Sequence, residues 1–162
     1  MTSASIRLTP EPVTAEAFAA YGQVLEMPAT AGRRDFAARA VNGRADAKPN
    51  LALIRVEATA LPLTIDTIER HPASSQAFVP LDGGRYLVVV MRENPDGSPD
   101  PMHARAFIAT QHQAINYNAG TWHAGMTVLD RPTGFCMVIF EDGGPDDCHL
   151  RRLEQPIVVE TV

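Results

Sequence analysis

One stretch of the sequence alternates between apolar and polar side chains: Leu61-Pro62-Leu63-Thr64-Ile65-Asp66-Thr67-Ile68-Glu69-Arg70-His71. A period of two is typical of a β-strand and places every second side chain on one face. The face that we expect to point inward carries Leu61, Leu63, Ile65, Thr67, Glu69 and His71. An apolar face that ends in a carboxylate and an imidazole predicts a polar pocket at that end of the strand. A lone histidine there would more often be structural than functional.

Short apolar segments recur along the whole chain. Thirteen prolines and eleven glycines divide it into pieces rich in Val, Ile, Leu, Phe and Thr. This pattern favours an all-β domain of about nine strands, closed into a sandwich or barrel. Besides 61–71, we expect strands at 51–57, 77–81, 85–92, 105–110, 114–117, 123–129, 135–141 and 157–159. One short helix is expected at 15–20, with Thr14 as its cap and Gly22 at its end.

Size and charge limit the classes of function. A chain of 162 residues with a formal charge of -5 suits one domain, residues 1–162, and its scattered arginines form no basic stripe. We therefore expect no nucleic-acid partner. The longest apolar runs, 87–91 and 135–140, are too short to span a bilayer. Residues 1–7 lack the apolar core of a secretory signal, so we expect a cytoplasmic protein whose Cys136 and Cys148 stay reduced.

Arginine replaces lysine almost completely. Of the 14 cationic residues, only Lys48 is a lysine, and it lies in a polar stretch, 46–50. A Schiff base or a bound pyridoxal phosphate needs a desolvated lysine amine, so imine catalysis is excluded and no organic cofactor is expected. Two interpretations of residues 28–50, which hold four arginines, stay open. They form a surface excursion, or they fold over a pocket and meet an anionic ligand.

The spacing after His71 resembles the first motif of the cupin superfamily. Gln76 follows His71 by five residues, and Gly83 is placed for the turn before the next strand. The second cupin motif, P-x-G-x-x-H, is similar to Asn118-Ala119-Gly120-Thr121-Trp122-His123. The resemblance implies a single-domain cupin-like β-barrel, a double-stranded β-helix or jelly roll, with one or two short peripheral helices.

The cupin resemblance also implies a metal site, formed by Glu69, His71, Gln76 and His123. Two imidazoles and a carboxylate suit nickel, zinc, iron or manganese, whereas the neutral amide oxygen of glutamine is a poorer donor. A barrel whose polar interior binds a ligand through hydrogen bonds alone is an alternative of equal weight.

A more specific resemblance covers residues 8–150. The strings Glu69-Arg70-His71-Pro72 and Ser75-Gln76-Ala77-Phe78-Val79-Pro80 are similar to those of the ureidoglycolate lyase family of bacterial allantoin degradation. Further matches are Thr14-Ala15-Glu16-Ala17-Phe18, Tyr21-Gly22, Leu61-Pro62-Leu63, Asn116-Tyr117, Trp122-His123, Gly143-Gly144 and Cys148. The resemblance implies a homodimeric lyase of purine nitrogen catabolism that splits (S)-ureidoglycolate, a small carboxylate, into glyoxylate and urea. It implies nickel as the divalent metal, with zinc and manganese as alternatives.

The same resemblance implies roles for individual side chains. Ureidoglycolate is a hemiaminal, so its hydroxyl must lose a proton while the departing urea nitrogen gains one. Glu69, His71 and His123 are the candidates for these proton transfers. The candidates for binding the substrate are Arg34, Ser75, Gln76, Tyr117 and Trp122.

Three histidines that members of the family often carry are absent. Arg34, Asn118 and Ala124 hold their positions. If one of those histidines is the proton carrier, this protein has an altered substrate or a reduced activity. The alternative function is a non-catalytic or divergent cupin that binds a small carboxylate as a sensor or accessory module. The adjacent pair Cys148 and His149 is excluded as a metal pair, because neighbours on a strand face opposite sides.

Overall fold

The computed structural model describes residues 5–36 and 39–161, and nearly all of its regular structure is β-sheet. The strands are β1 (Ile6–Leu8), β2 (Glu11–Pro12), β3 (Gly22–Glu26), β4 (Lys48–Val56), β5 (Leu63–Arg70), β6 (Gln76–Pro80), β7 (Tyr86–Met91), β8 (Arg105–Ala109), β9 (Gln113–Tyr117), β10 (Trp122–His123), β11 (Thr127–Val128), β12 (Thr133–Glu141) and β13 (His149–Val159). Helix α1 spans Ala15–Phe18, and a 3-10 turn spans Pro101–His103. Thr14 caps α1, because its hydroxyl accepts a hydrogen bond from the amide of Ala17 at 3.1 Å.

The strands form two sheets that lie against each other. The larger sheet has the order β1-β13-β5-β10-β7-β8-β2, with β11 paired to β7. The smaller sheet has the order β3-β9-β6-β12-β4. Both sheets are curled into a half-barrel, so the predicted all-β, cupin-like fold is confirmed.

Strand β7 is buried on both faces and separates two apolar cores. Val88 and Val90 pack in the first core, which contains the aromatic rings of Phe18, Phe107 and Phe135. The intervening side chains of β7, at 87, 89 and 91, pack in the second core together with Trp122, Ile68 and Ile157. A strand that is apolar on both faces gives a continuous apolar run in the sequence, which is what residues 87–91 show.

Strand β5 corrects one sequence-based prediction. Its buried side chains are Ile65 and Ile68, which are three residues apart and both belong to the second core. The alternation breaks opposite a register shift of β13 between Arg152 and Ile157. Because Glu69 follows Ile68 directly, it faces the other side of the sheet. The prediction that Ile65 and Glu69 share one inward face is therefore wrong.

The segment before β4 runs back along the start of β6. The amide of Gly43 donates to the carbonyl of Ala73 at 2.7 Å, and the amide of Val41 donates to the Ser75 hydroxyl at 2.9 Å. These bonds hold residues 41–44 beside the segment that links β5 to β6. In the described part of the chain, no helix has the length and apolar character needed to cross a membrane.

Candidate active site

Three titratable side chains meet where β10 pairs with the end of β5. Oε1 of Glu69 lies 3.4 Å from Nε2 of His123 and 3.9 Å from Nε2 of His71. One potential ligand atom from each residue lies within 4.8 Å of the other two. Both imidazoles are buried, whereas 27% of the Glu69 side chain is exposed. The cluster therefore reaches solvent on the side of the carboxylate.

Local structure explains why residues so far apart in sequence meet here. His123 of β10 pairs directly with Glu69 of β5 in antiparallel register. The turn before β10 is fixed to His71, because the amide of Gly120 donates to the His71 carbonyl at 2.8 Å. Gly120 has a φ of 80°, in the left-handed region that favours glycine. This gives a structural reason for a glycine three residues before His123.

The hydrogen bonds of the two histidines fix which nitrogen faces the cluster. Nδ1 of His71 lies 2.6 Å from the carbonyl oxygen of Asp147, and Nδ1 of His123 lies 2.8 Å from that of Thr121. A carbonyl oxygen only accepts, so each Nδ1 donates, and in the neutral ring each Nε2 carries a lone pair. Within residues 5–36 and 39–161, neither Nε2 has a hydrogen-bond partner. Both lone pairs are thus available beside Glu69.

This arrangement of acceptors calls for a positive charge. Lone pairs on two imidazoles and a carboxylate repel one another unless a proton or a cation lies among them. When they are protonated at Nε2, the imidazoles of His123 and His71 hold the pKa of the Glu69 carboxyl well below its usual range. Burial by itself lowers the pKa of His71, but the Glu69 carboxylate and the Asp147 carbonyl outweigh it, and the pKa is raised. Glu69 is therefore ionised and can balance a cation.

The donor set fits a divalent metal. Histidines that bind metals commonly donate their second ring N–H to a carbonyl or a carboxylate, as His71 and His123 do here. The predicted fourth ligand, Gln76, has a buried Oε1 with no hydrogen-bond partner in the described part of the chain. Its amide nitrogen donates to the Met137 sulfur at 3.3 Å. The structure thus holds a possible metal-binding triad, Glu69, His71 and His123.

Tyr117 supports one face of the cluster. Its ring stacks on the imidazole of His123, with the ring centres 4.1 Å apart and the planes 16° from parallel. The side chain is buried, and burial raises the pKa of the phenol well above its usual value. Tyr117 therefore stays protonated and fixes the orientation of the His123 ring.

Two of the predicted substrate-binding residues make contacts elsewhere in the protein. The hydroxyl of Ser75 is buried and accepts the amide of Val41. The indole N–H of Trp122 donates to the carbonyl of Gly97 at 3.2 Å, and the ring packs in the second core. Trp122 therefore lies on the face of the sheet opposite His123. Its proposed contact with the substrate has no support from this placement.

The arginines of residues 28–50 that the structure describes contact protein groups. Arg34, half exposed, lies 3.4 Å from the carboxylate of Glu26, and its guanidinium lies over the ring of Phe36. Arg44 is the most enclosed of them and binds the carboxylates of Asp142 and Asp147. A role of Arg34 in holding a substrate carboxylate stays a prediction.

Sequence reasoning missed one side chain at the cluster, Cys148. Its thiol lies 3.8 Å from Oε2 of Glu69 and donates a weak hydrogen bond to it. Burial and the charge of Glu69 raise the thiol pKa to about 11, so the sulfur stays protonated. The argument from opposite faces excluded a pair with His149, which instead contacts Asp146 at 2.9 Å. Because Cys148 and His149 face opposite sides of the strand, Cys148 alone faces Glu69.

Comparisons with known proteins identify the family of the chain. A sequence model of the family described as ureidoglycolate lyase matches residues 5–160. The chain is similar to the ureidoglycolate lyase of Pseudomonas syringae pv. tomato, with 34% identity over 161 residues and 91% of each chain covered. It is 36% identical over 156 residues to the ureidoglycolate lyase of Mesorhizobium japonicum, which covers 90% of this chain and 91% of the relative. The ureidoglycolate lyase of Escherichia coli O1:K1 is 34% identical over 157 residues, which covers 89% and 92%. With a match over nearly its whole length, the chain belongs to the ureidoglycolate lyase family.

Proposed function

We propose that this protein is a ureidoglycolate lyase, which splits (S)-ureidoglycolate into glyoxylate and urea. The observation that carries the proposal is the cluster of Glu69, His71 and His123, with both Nε2 atoms turned toward one ionised carboxylate. The relatives that share about a third of its sequence are named for this activity.

The reaction is an elimination that moves one proton and breaks one bond. The substrate hydroxyl loses its proton, its oxygen forms the carbonyl of glyoxylate, and the bond from carbon to the urea nitrogen breaks. The electron pair of that bond stays on nitrogen, which takes up a proton and leaves as urea. The site therefore needs one group that accepts a proton and one that donates.

The described cluster supplies both groups. An imidazole that is neutral at Nε2 accepts the hydroxyl proton, while an imidazole protonated at Nε2 and balanced by Glu69 donates to the departing nitrogen. The carbonyls of Asp147 and Thr121 keep the two Nδ1 atoms out of this exchange. The buried ring of Tyr117 excludes water from one face of His123.

A divalent metal would be held by Glu69, His71 and His123, with Gln76 as the fourth ligand, and we propose nickel, with zinc and manganese as alternatives. Such an ion would stabilise negative charge on a substrate oxygen. The two Nε2 atoms would then be ligands of the ion, so the proton transfers assigned to them above belong to the cluster without a metal.

We also propose that the protein is a homodimer. Leu51 and Leu53 support this proposal, because their side chains are 71% and 77% exposed on β4, a strand at the edge of the smaller sheet. Pairing would remove this apolar surface from water.

The test is turnover of (S)-ureidoglycolate by the purified protein, with and without added nickel, manganese or zinc. We expect equal amounts of urea and glyoxylate, formed faster than in the spontaneous reaction. The Cys136→Ala variant is the control, since Cys136 lies in β12 and outside the cluster. Turnover at the spontaneous rate under every condition would refute the proposed lyase activity. Tight binding of the substrate without turnover would then favour the carboxylate sensor.

A further inference from the structure

Arg44 connects three segments around the loop that follows β12. Its guanidinium lies 2.9 Å from Oδ2 of Asp142 and 2.5 Å from Oδ1 of Asp147. It also donates to the carbonyl of Phe140 at 3.3 Å. Only 19% of the Arg44 side chain and 15% of the Asp147 side chain are exposed. A guanidinium held this way by two carboxylates is a fixed part of the structure rather than a mobile surface charge.

Asp147 is held at several atoms. Besides Arg44, its carboxylate accepts the amides of Asp142 at 3.0 Å and Gly143 at 2.7 Å. These bonds close the loop between β12 and β13 on itself. The backbone carbonyl of the same residue accepts Nδ1–H of His71 at 2.6 Å. The position of Asp147 therefore decides where the acceptor for His71 lies.

We propose that Arg44 and Asp147 are positioning residues, which hold His71 in the tautomer with Nδ1 protonated and Nε2 facing Glu69. Arg44 acts through Asp147, and Asp147 acts through its carbonyl. The inference rests on the proposed function only for its effect on catalysis; the effect on the tautomer stands independently of it. The tautomer matters because only an unprotonated Nε2 can accept a proton or bind a metal.

Arg44 lies in a different segment, residues 41–44, from the loop that it binds, and this segment is itself held in place. The amide of Gly43 donates to Ala73, and the side chain of Asn42 donates to the carbonyl of Ala47 at 3.1 Å. Residues 41–44 are thus fixed to the chain that follows His71. Arg44 then ties the Asp147 loop to that chain, so both sides of the bond between His71 and Asp147 are held by one connected network.

The experiment compares Arg44→Gln and Arg44→Lys with a matched control, Arg55→Gln. Arg55 also pairs with an aspartate, Asp82 at 3.2 Å, but this pair is exposed and lies away from the cluster. The tautomer of His71 is measured by nitrogen-15 NMR of the metal-free proteins at alkaline pH, where imidazoles are neutral. The His71→Gln spectrum assigns the signal. Nickel affinity and the separate values of kcat and KM are measured on the same proteins.

In the wild type and in Arg55→Gln, we expect His71 to be protonated at Nδ1. In Arg44→Gln we expect a mixture of tautomers, nickel affinity reduced roughly 10- to 100-fold, and a fall in kcat larger than the change in KM. Arg44→Lys keeps one charge but not the double contact, so its values should lie between those of the wild type and Arg44→Gln.

Unchanged His71 tautomer and nickel affinity in a folded Arg44→Gln protein would overturn the proposal. If that variant does not fold, Arg44→Lys decides in the same way. Loss of folding in both variants would also overturn it, because Arg44 would then serve the whole fold. A wild type that fails to turn over ureidoglycolate refutes the proposed function alone, since the NMR result does not depend on activity.

Discussion

At the scale of single residues, the hydrogen-bond partner of one ring nitrogen of a histidine decides what the other nitrogen can do. His71 and His123 both donate Nδ1–H to a backbone carbonyl, and both present Nε2 to Glu69. His149 instead has Nε2 beside the exposed carboxylate of Asp146. The same residue type thus forms part of a cluster at two positions and makes a surface hydrogen bond at His149.

This contrast predicts the effects of replacing individual histidines. His123→Gln should lower kcat/KM for ureidoglycolate by about 100-fold or more, because it removes one of the two nitrogens available for proton transfer. His149→Gln is the matched control and should stay within about twofold of the wild type. Steady-state rates of urea release measure both. Similar losses in the two variants would show that the site lies elsewhere.

The sequence was informative about which residues form the cluster and silent about how they are held. The spacing of Glu69, His71 and His123 placed them at one site through a family resemblance. The carbonyl of Asp147 could not be found this way, since a backbone acceptor leaves no mark on residue type. Trp122 lies on the opposite face of the sheet from its neighbour His123, so its contact with the substrate stays a prediction.

At the scale of elements, apolar segments of the sequence predict where most strands lie, but they do not predict which side chains of a strand point to which side of the sheet. The segment 61–71 does form a strand, β5, and its alternation breaks where β13 is out of register. The break depends on a partner nearly ninety positions later in the chain, which local periodicity cannot detect. The same limit hid most of β13, because its first half carries Arg151, Arg152 and Glu154.

Asp130 allows a prediction about pH at the element scale. It joins the start of β7 to the end of β11 by accepting the amide of Arg85 at 2.8 Å and its guanidinium at 2.8 Å. The side chain and then the amide of Arg85 lower the pKa of Asp130. The stabilisation is therefore present above the unfolded pKa of about 3.9 and is lost as the pH falls through the folded value.

We accordingly expect Asp130→Asn to be less stable than the wild type near pH 7, with the gap closing in acid. The difference in the free energy of unfolding between variant and wild type is measured with urea near pH 7 and again at a pH below the unfolded pKa of Asp130. Asp66→Asn serves as the control, because Asp66 lies 3.7 Å from an exposed Arg152. If Asp130→Asn lowers the free energy of unfolding by the same amount near pH 7 and in acid, the stabilisation does not come from the ionised Asp130 carboxylate.

At the scale of the whole molecule, the possible metal-binding triad joins residues from separate strands. Glu69 lies on β5 and His123 on β10, and His71 leads from β5 toward β6. A metal that binds the folded chain and not the unfolded chain should raise the free energy of unfolding by about 2.7 kcal/mol when its free concentration is about 100 times the Kd. Thermal unfolding with and without nickel measures this, and His123→Gln should lose most of the gain. An equal gain in that variant would place the metal at another site.

The larger sheet joins distant parts of the sequence. Strand β1 pairs in parallel with β13, from Ile6 opposite Ile157 to Leu8 opposite Val159. β13 also covers one edge of β5, the strand that carries Glu69. During synthesis on the ribosome, residues 6–8 and 63–70 emerge long before residues 149–159. The nascent chain therefore presents an unpaired edge of β5, the strand that carries Glu69, until residues 149–159 have been synthesised.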